Sequence, residues 1–169
     1  MDEFVNKVAN SGLITFNLED YYDRSERVLF DIKDCLFMGL ILKEKDFREF
    51  IKTHDWNQYN NKHVAIICSA DAIVPTWAYM LLASALQSHA KRIIFGDLQM
   101  LENTLMTEAL AKINIQDYAN QKVVIKGCGD LPVPTSAYVE ITAKLATVAK
   151  SIMYGEPCST VPIMKRKEV

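Results

Sequence analysis

A chain of 169 residues, half of them hydrophobic, is long enough to bury the core of an ordinary domain, which excludes general disorder. The formal net charge of −2 and the isoelectric point near 5.9 leave nucleic acid and anionic membrane surfaces without electrostatic support as partners. Only Lys165, Arg166 and Lys167 form a basic run, read as a solvated terminus. Residues 1–10 carry Asp2, Glu3, Asn6 and Lys7 and lack the apolar run of a leader peptide, and no window approaches the ~18 apolar residues of a membrane span. A cytoplasmic location is therefore expected. There Cys35, Cys68, Cys128 and Cys158 stay reduced, which favours metal binding or thiol chemistry over a disulfide framework.

In chain order, residues 13–18 and 27–32 have short β character and are joined by the acidic, aromatic connector 19–25. Residues 36–42 suggest a third strand, with Gly39 as a bulge. Phe47, Phe50 and Ile51 recur at helical spacing and predict a helix over 44–53. The polar run 57–62 then leads into a repeat.

Shifted by 59 positions, residues 62–97 and 121–156 share 13 identities in 36, among them Asp71/Asp130, Val74/Val133, Pro75/Pro134, Thr76/Thr135 and Tyr79/Tyr138. Chance gives roughly two to three at common residue frequencies. Each copy reads as strand, loop, helix, strand: 63–68, 76–89 and 92–95, then 122–127, 135–149 and 151–154. Pro75 and Pro134 stand where the helices start, because a proline there forfeits no hydrogen bond. The first of these helices is apolar nearly all round, so burial on more than one side is expected. The second is amphipathic, with a Glu140/Lys144 pair on its polar face. A linking helix over 98–112 and an edge strand at 161–164 complete the pattern.

The fold class is α/β, with a layered, mostly parallel central sheet built from two repeated strand-helix-strand units and additional N-terminal strands. One domain over 1–169 is expected: N-terminal strands and a helix in 1–61, the copies at 62–97 and 121–156, and a C-terminal segment 157–169.

Chain order alone places chemistry. Ligands of parallel sheets bind beyond the carboxyl ends of the strands, and Cys68, Cys128 and Cys158 follow such ends with Asp71, Asp130, Asp97 and Glu156. His54, His63 and His89 fall near strand starts, which separates thiol from imidazole and argues against a Cys-His hydrolase. Three thiolates and a carboxylate suit tetrahedral zinc or part of an iron-sulfur cluster, although no C-x-x-C is present. Free cysteines are also ordinary small hydrophobes, and Asp71 and Asp130 suit bonds to their own loop backbone. Tyr79 and Tyr138 read as core residues whose hydroxyls find a partner. No glycine-rich nucleotide fingerprint occurs. The copies differ at the thiols: Cys68 aligns with Gly127, Cys128 with Ser69, and Cys158 with Gln99.

The segments Val5–Leu13, Leu42–Phe50, Cys68–Ala78, Lys126–Pro134 and Tyr154–Pro162 resemble the bacterial proteins of domain of unknown function 2480, over nearly the whole chain. The resemblance implies a genomic setting near iron-sulfur assembly genes, hence iron-sulfur assembly proteins as partners. It implies no activity and no site residues.

The leading expectation is a metal-binding or iron-sulfur accessory protein holding zinc or iron through Cys128 and Cys158, with Cys68, Asp71, Asp130 and Glu156 completing the set. The alternatives are an interaction module or homodimer with structural cysteines, and thiol redox or persulfide transfer through a Cys128 of depressed pKa.

Overall fold

The computed structural model describes residues 12–167. Residues 1–10, on which the absence of a leader peptide was read, lie outside them. The chain divides into two compact units, Arg24–Leu101 and the pair of segments Met1–Asp23 and Glu102–Val169.

The elements are β1 (Leu13–Asn17), β2 (Arg27–Asp31), α1 (Glu44–Thr53), β3 (His63–Ile67), α2 (Thr76–Leu86), β4 (Arg92–Phe95), α3 (Leu98–Ala111), β5 (Lys122–Lys126), α4 (Thr135–Leu145), β6 (Ser151–Glu156) and β7 (Ser159–Lys165). The class is mixed α/β with mostly parallel strands, as the sequence predicts. None of the helices among the described residues is long and apolar enough to cross a membrane.

The strands form two sheets where one was expected, ordered β2-β3-β4 and β1-β5-β6-β7. The reason lies in the N-terminal strands. β2 pairs in parallel with β3, and β1 with β5, so each N-terminal strand takes a different copy of the repeat as its partner. The first copy thus serves one unit and the second copy the other. β7 closes the second sheet by pairing antiparallel with β6.

Within the unit Arg24–Leu101, β3 is buried from His63 to Ile66, and its Val64 and Ile66 meet Phe30, Ile32, Phe47, Leu82 and Leu86 in one apolar cluster. A fully buried Leu or Ile contributes about 1.5–3 kcal/mol, so this cluster holds the helix to the sheet. α2 buries only the stripe Ala78, Leu82 and Leu86 and leaves Met80 66% exposed, correcting the expectation of burial on several sides. The four residues 32–35 form a 3-10 turn, and 36–42 is no strand. Met38 and Gly39 take left-handed backbone at φ 52° and 69° and reverse the chain between the bridged Phe37 and Ile41.

In the other unit, Val123, Ile125 and Ile152 of the sheet pack with Phe16, Leu18, Leu110, Ile141 and Leu145. α4 buries Ala137, Ile141 and Leu145, each 59 positions after its α2 counterpart. Glu140 meets Lys144 at 3.2 Å, as predicted, and also accepts from the Thr107 hydroxyl at 2.7 Å. Pro75 and Pro134 sit just outside their helices, in extended backbone, and α2 and α4 start at the threonines that follow. Asn61 and Asn120, in the turns before β3 and β5, share left-handed φ values of 59° and 57°.

Candidate thiol site beyond strand β5

β1 and β5 run parallel in register, Phe16 opposite Ile125 and Asn17 opposite Lys126, so both chains leave the sheet at the same end. Beyond β1 comes a 3-10 turn, Leu18–Tyr21, capped by the Asn17 side chain, which accepts from the Glu19 N–H at 3.2 Å. Beyond β5 comes Gly127-Cys128-Gly129. Glu19 reaches into this second loop and accepts the Leu131 N–H at 2.8 Å.

The two glycines are there for close approach. A Cβ on Gly127 would stand 2.6 Å from the Tyr138 hydroxyl oxygen and 3.0 Å from Leu18 Cβ, and one on Gly129 would stand 2.5 Å from the Glu19 carboxylate. The strand-end loop therefore lies hard against α4 on one side and the β1 turn on the other, with Cys128 between.

Cys128 is exposed, and two hydroxyls converge on its sulfur: Tyr154 at 3.0 Å and Tyr138 at 3.4 Å. The two phenol rings meet edge to face, with centroids 5.9 Å apart and planes at 75°. Hydrogen bonds from Tyr138 and then Tyr154 hold the thiol below its ordinary pKa, outweighing slight burial and the nearby negative charge of Glu19. Tyr138 moves far the other way, through burial and then its bond to Cys128, and Tyr154 rises through the same bond to sulfur. These opposite shifts favour an ionised sulfur that accepts from two protonated phenols. Among the described residues no histidine lines this site.

Beside the sulfur is a cavity of about 460 Å³ lined by Cys128, Tyr138, Tyr154, Ile125, Leu131, Val133 and Met153, with Thr135, Thr142 and Ile163. Among the described residues, no lining side chain is Asp, Glu, Lys or Arg. Its size is that of a small-molecule site.

The residues singled out from sequence divide between the two units. Cys68 follows β3, half-buried against the core of Arg24–Leu101, with its sulfur 3.6 Å from the Ala70 carbonyl oxygen, and Asp71 is exposed in the same loop. Cys128 and Asp130 share the loop after β5, Glu156 ends β6 with its carboxylate 3.5 Å from Lys126 Nζ, and Cys158 is exposed in the turn between β6 and β7. Cys68 and Asp71 thus belong to the unit Arg24–Leu101, and Cys128, Asp130, Glu156 and Cys158 to the other. Among the described residues no three His, Cys, Asp or Glu side chains are grouped as a metal-holding set. All four cysteines are free.

Sequence reasoning passed over Tyr154 and Glu19 and gave Tyr138 a core role. The signal for Tyr154 was its position: it ends the predicted strand 151–154, beside the strand that carries the thiol loop. Tyr138 does have a bonded hydroxyl, and the partner is the cysteine.

The other unit carries a related arrangement with different atoms. Tyr79 and Phe95 meet edge to face, centroids 5.3 Å apart and planes at 83°, and they line an apolar cavity of about 260 Å³ with Ile66, Met80 and Ile93. Phe95 aligns with Tyr154 and Ser69 with Cys128, so neither the second hydroxyl nor the thiol is present. Ser69 instead donates through its hydroxyl and its N–H to Asp31.

No curated protein and no solved structure matches the chain. One family model matches residues 2–166, nearly all of it, and on that match the chain belongs to the family described as "Protein of unknown function (DUF2480)".

Proposed function

We propose that the protein works through Cys128 as a nucleophilic thiolate that takes up a group from a small molecule held in the adjoining cavity. The observation that carries this reading is the convergence of two tyrosine hydroxyls on one exposed sulfur at the edge of an uncharged pocket. A thiolate is the reactive form of cysteine, and donors aimed at it raise its population at neutral pH without a histidine. The test is alkylation with iodoacetamide followed by peptide mass spectrometry across a pH series. Cys128 should be modified first, with a midpoint below the ordinary thiol value of about 8.5. A midpoint at or above that value sinks the reading.

A second reading keeps zinc or iron, with iron-sulfur assembly proteins as partners. It draws on the placement of Cys128, Asp130 and Cys158 after the ends of the adjacent parallel strands β5 and β6, with Glu156 as the last residue of β6. Elemental analysis of untagged protein purified without oxygen or chelators separates the two. Near-stoichiometric metal that disappears in Cys128→Ser and Cys158→Ser favours the metal, and labelling of Cys128 unchanged by chelator treatment favours the free thiol.

A further inference from the structure

We infer that the group taken up by Cys128 is an acyl chain delivered as a thioester, with the hydrocarbon lodged among Ile125, Leu131, Val133 and Met153. The inference rests on the thiol reading above and adds the substrate class.

Two observations select this class. Among the described residues the cavity walls are mostly apolar and carry no charged side chain; the Cys128 sulfur and the hydroxyls of Tyr138 and Tyr154 are gathered on one another, and the other polar side chains of the lining are those of Thr135 and Thr142. Such a site suits a molecule with one reactive polar end and an uncharged body. A bare sulfane sulfur or a charged metabolite would leave those walls unused. The second observation is that, among the described residues, no histidine lines the cavity. Esters and amides need their leaving group protonated as the bond breaks, a task usually given to histidine. A thiolate departs without that help, so thioester exchange is the acyl transfer this set of groups can perform.

The step balances without an oxidant or reductant. Cys128 loses its proton to solvent, and its sulfur attacks the carbonyl carbon of R–CO–S–R′. The carbonyl π pair moves onto oxygen, where the tyrosine hydroxyls that had faced the sulfur are the available donors. Collapse of that oxyanion expels R′–S⁻, which takes a proton from solvent. The products are Cys128–S–CO–R and R′–SH.

The experiment incubates the full chain with N-acetylcysteamine thioesters of two-, four-, six- and eight-carbon acyl groups and follows intact mass, with iodoacetamide run in parallel. Acylation should map to Cys128 and be about tenfold or more faster for the eight-carbon than for the two-carbon group, because each added methylene is taken out of water. In Thr142→Trp, which fills the cavity, the chain-length preference should shrink. The wild-type ratio decides even if that variant does not fold. Fast iodoacetamide labelling with equal thioester rates overturns the acyl inference and leaves the thiol reading standing. Ordinary iodoacetamide reactivity overturns both.

Discussion

The hydroxyl of Tyr154 lies 3.0 Å from the sulfur of Cys128, across 26 residues of chain. Parallel pairing makes this possible: Tyr154 stands opposite Ile125, so its side chain is beside the backbone as β5 runs out into the Gly127-Cys128-Gly129 loop. The 11-residue α4 crosses between the two strands and supplies Tyr138 on the way.

Removing either hydroxyl should therefore raise the Cys128 titration midpoint. Tyr138→Phe and Tyr154→Phe are each expected to slow iodoacetamide labelling at pH 7 by about threefold to tenfold, the loss of one hydrogen bond to a charged acceptor. Labelling at pH 10, where the thiol is ionised in all three proteins, should converge. Cys35 is the internal reference, since burial and then Asp34 push its thiol up to about 11 and keep it slow. Unchanged rates in both variants would show that the hydroxyls do not tune the sulfur.

The glycines beside Cys128 should resist substitution for separate reasons. In Gly127→Ala the new methyl group meets the Tyr138 hydroxyl and Leu18, so stability should fall by about 1–3 kcal/mol as in other overpacked sites. Labelling of Cys128 should slow as Tyr138 is pushed off the sulfur. In Gly129→Ala the clash is with the Glu19 carboxylate, which can swing away at the expense of its bond to Leu131 N–H. The paired variant Glu19→Ala with Gly129→Ala should then recover part of the loss. Urea melts of the four proteins decide it, and a double variant no better than Gly129→Ala would remove Glu19 from the account.

Asp31 gives a pH-dependent contribution whose direction can be worked out. Burial raises its pKa, but the Ser69 hydroxyl and N–H, the Lys33 N–H and the Lys33 charge together bring it below the usual carboxylate value. A carboxyl with a depressed folded pKa stabilises fully above its unfolded pKa, near 4, and loses that contribution as pH falls through the folded value. Asp31→Asn should thus be less stable than the parent by about 1 kcal/mol at pH 7. The gap should close as pH falls below the usual carboxylate range. Equal melting temperatures at pH 7 would contradict this.

Much of the fold was legible because its signals are local. α1 was marked by the spacing of Phe47, Phe50 and Ile51, and the strand-helix-strand copies by apolar runs set around Val-Pro-Thr. The division into two sheets was not legible, because it depends on which strand β1 and β2 choose, and nothing in Leu13–Asn17 or Arg27–Asp31 names a partner 109 or 36 positions away. The segment 36–42 misled for the opposite reason. Its apolar run reads as a strand, whereas the left-handed backbone at Met38 and Gly39 turns it back on itself and leaves Met38, Leu40 and Ile41 exposed. At the site, Cys128 stood out by its glycine context, but the residues that give it chemistry are tyrosines. An aromatic residue in an apolar pattern carries no mark of what its hydroxyl will meet.

The matched ring pairs, Tyr138 with Tyr154 and Tyr79 with Phe95, make the chain its own control. Ser69→Cys would place a second thiol in the same backbone context, with one phenol nearby and a plain benzene ring in place of the other. Two sulfurs could then be compared in a single tube, at one pH and one protein concentration, differing in their immediate surroundings. The comparison thus reads off what a second phenol in place of a benzene ring, and the absence of the Asp31 carboxylate, do together for one sulfur.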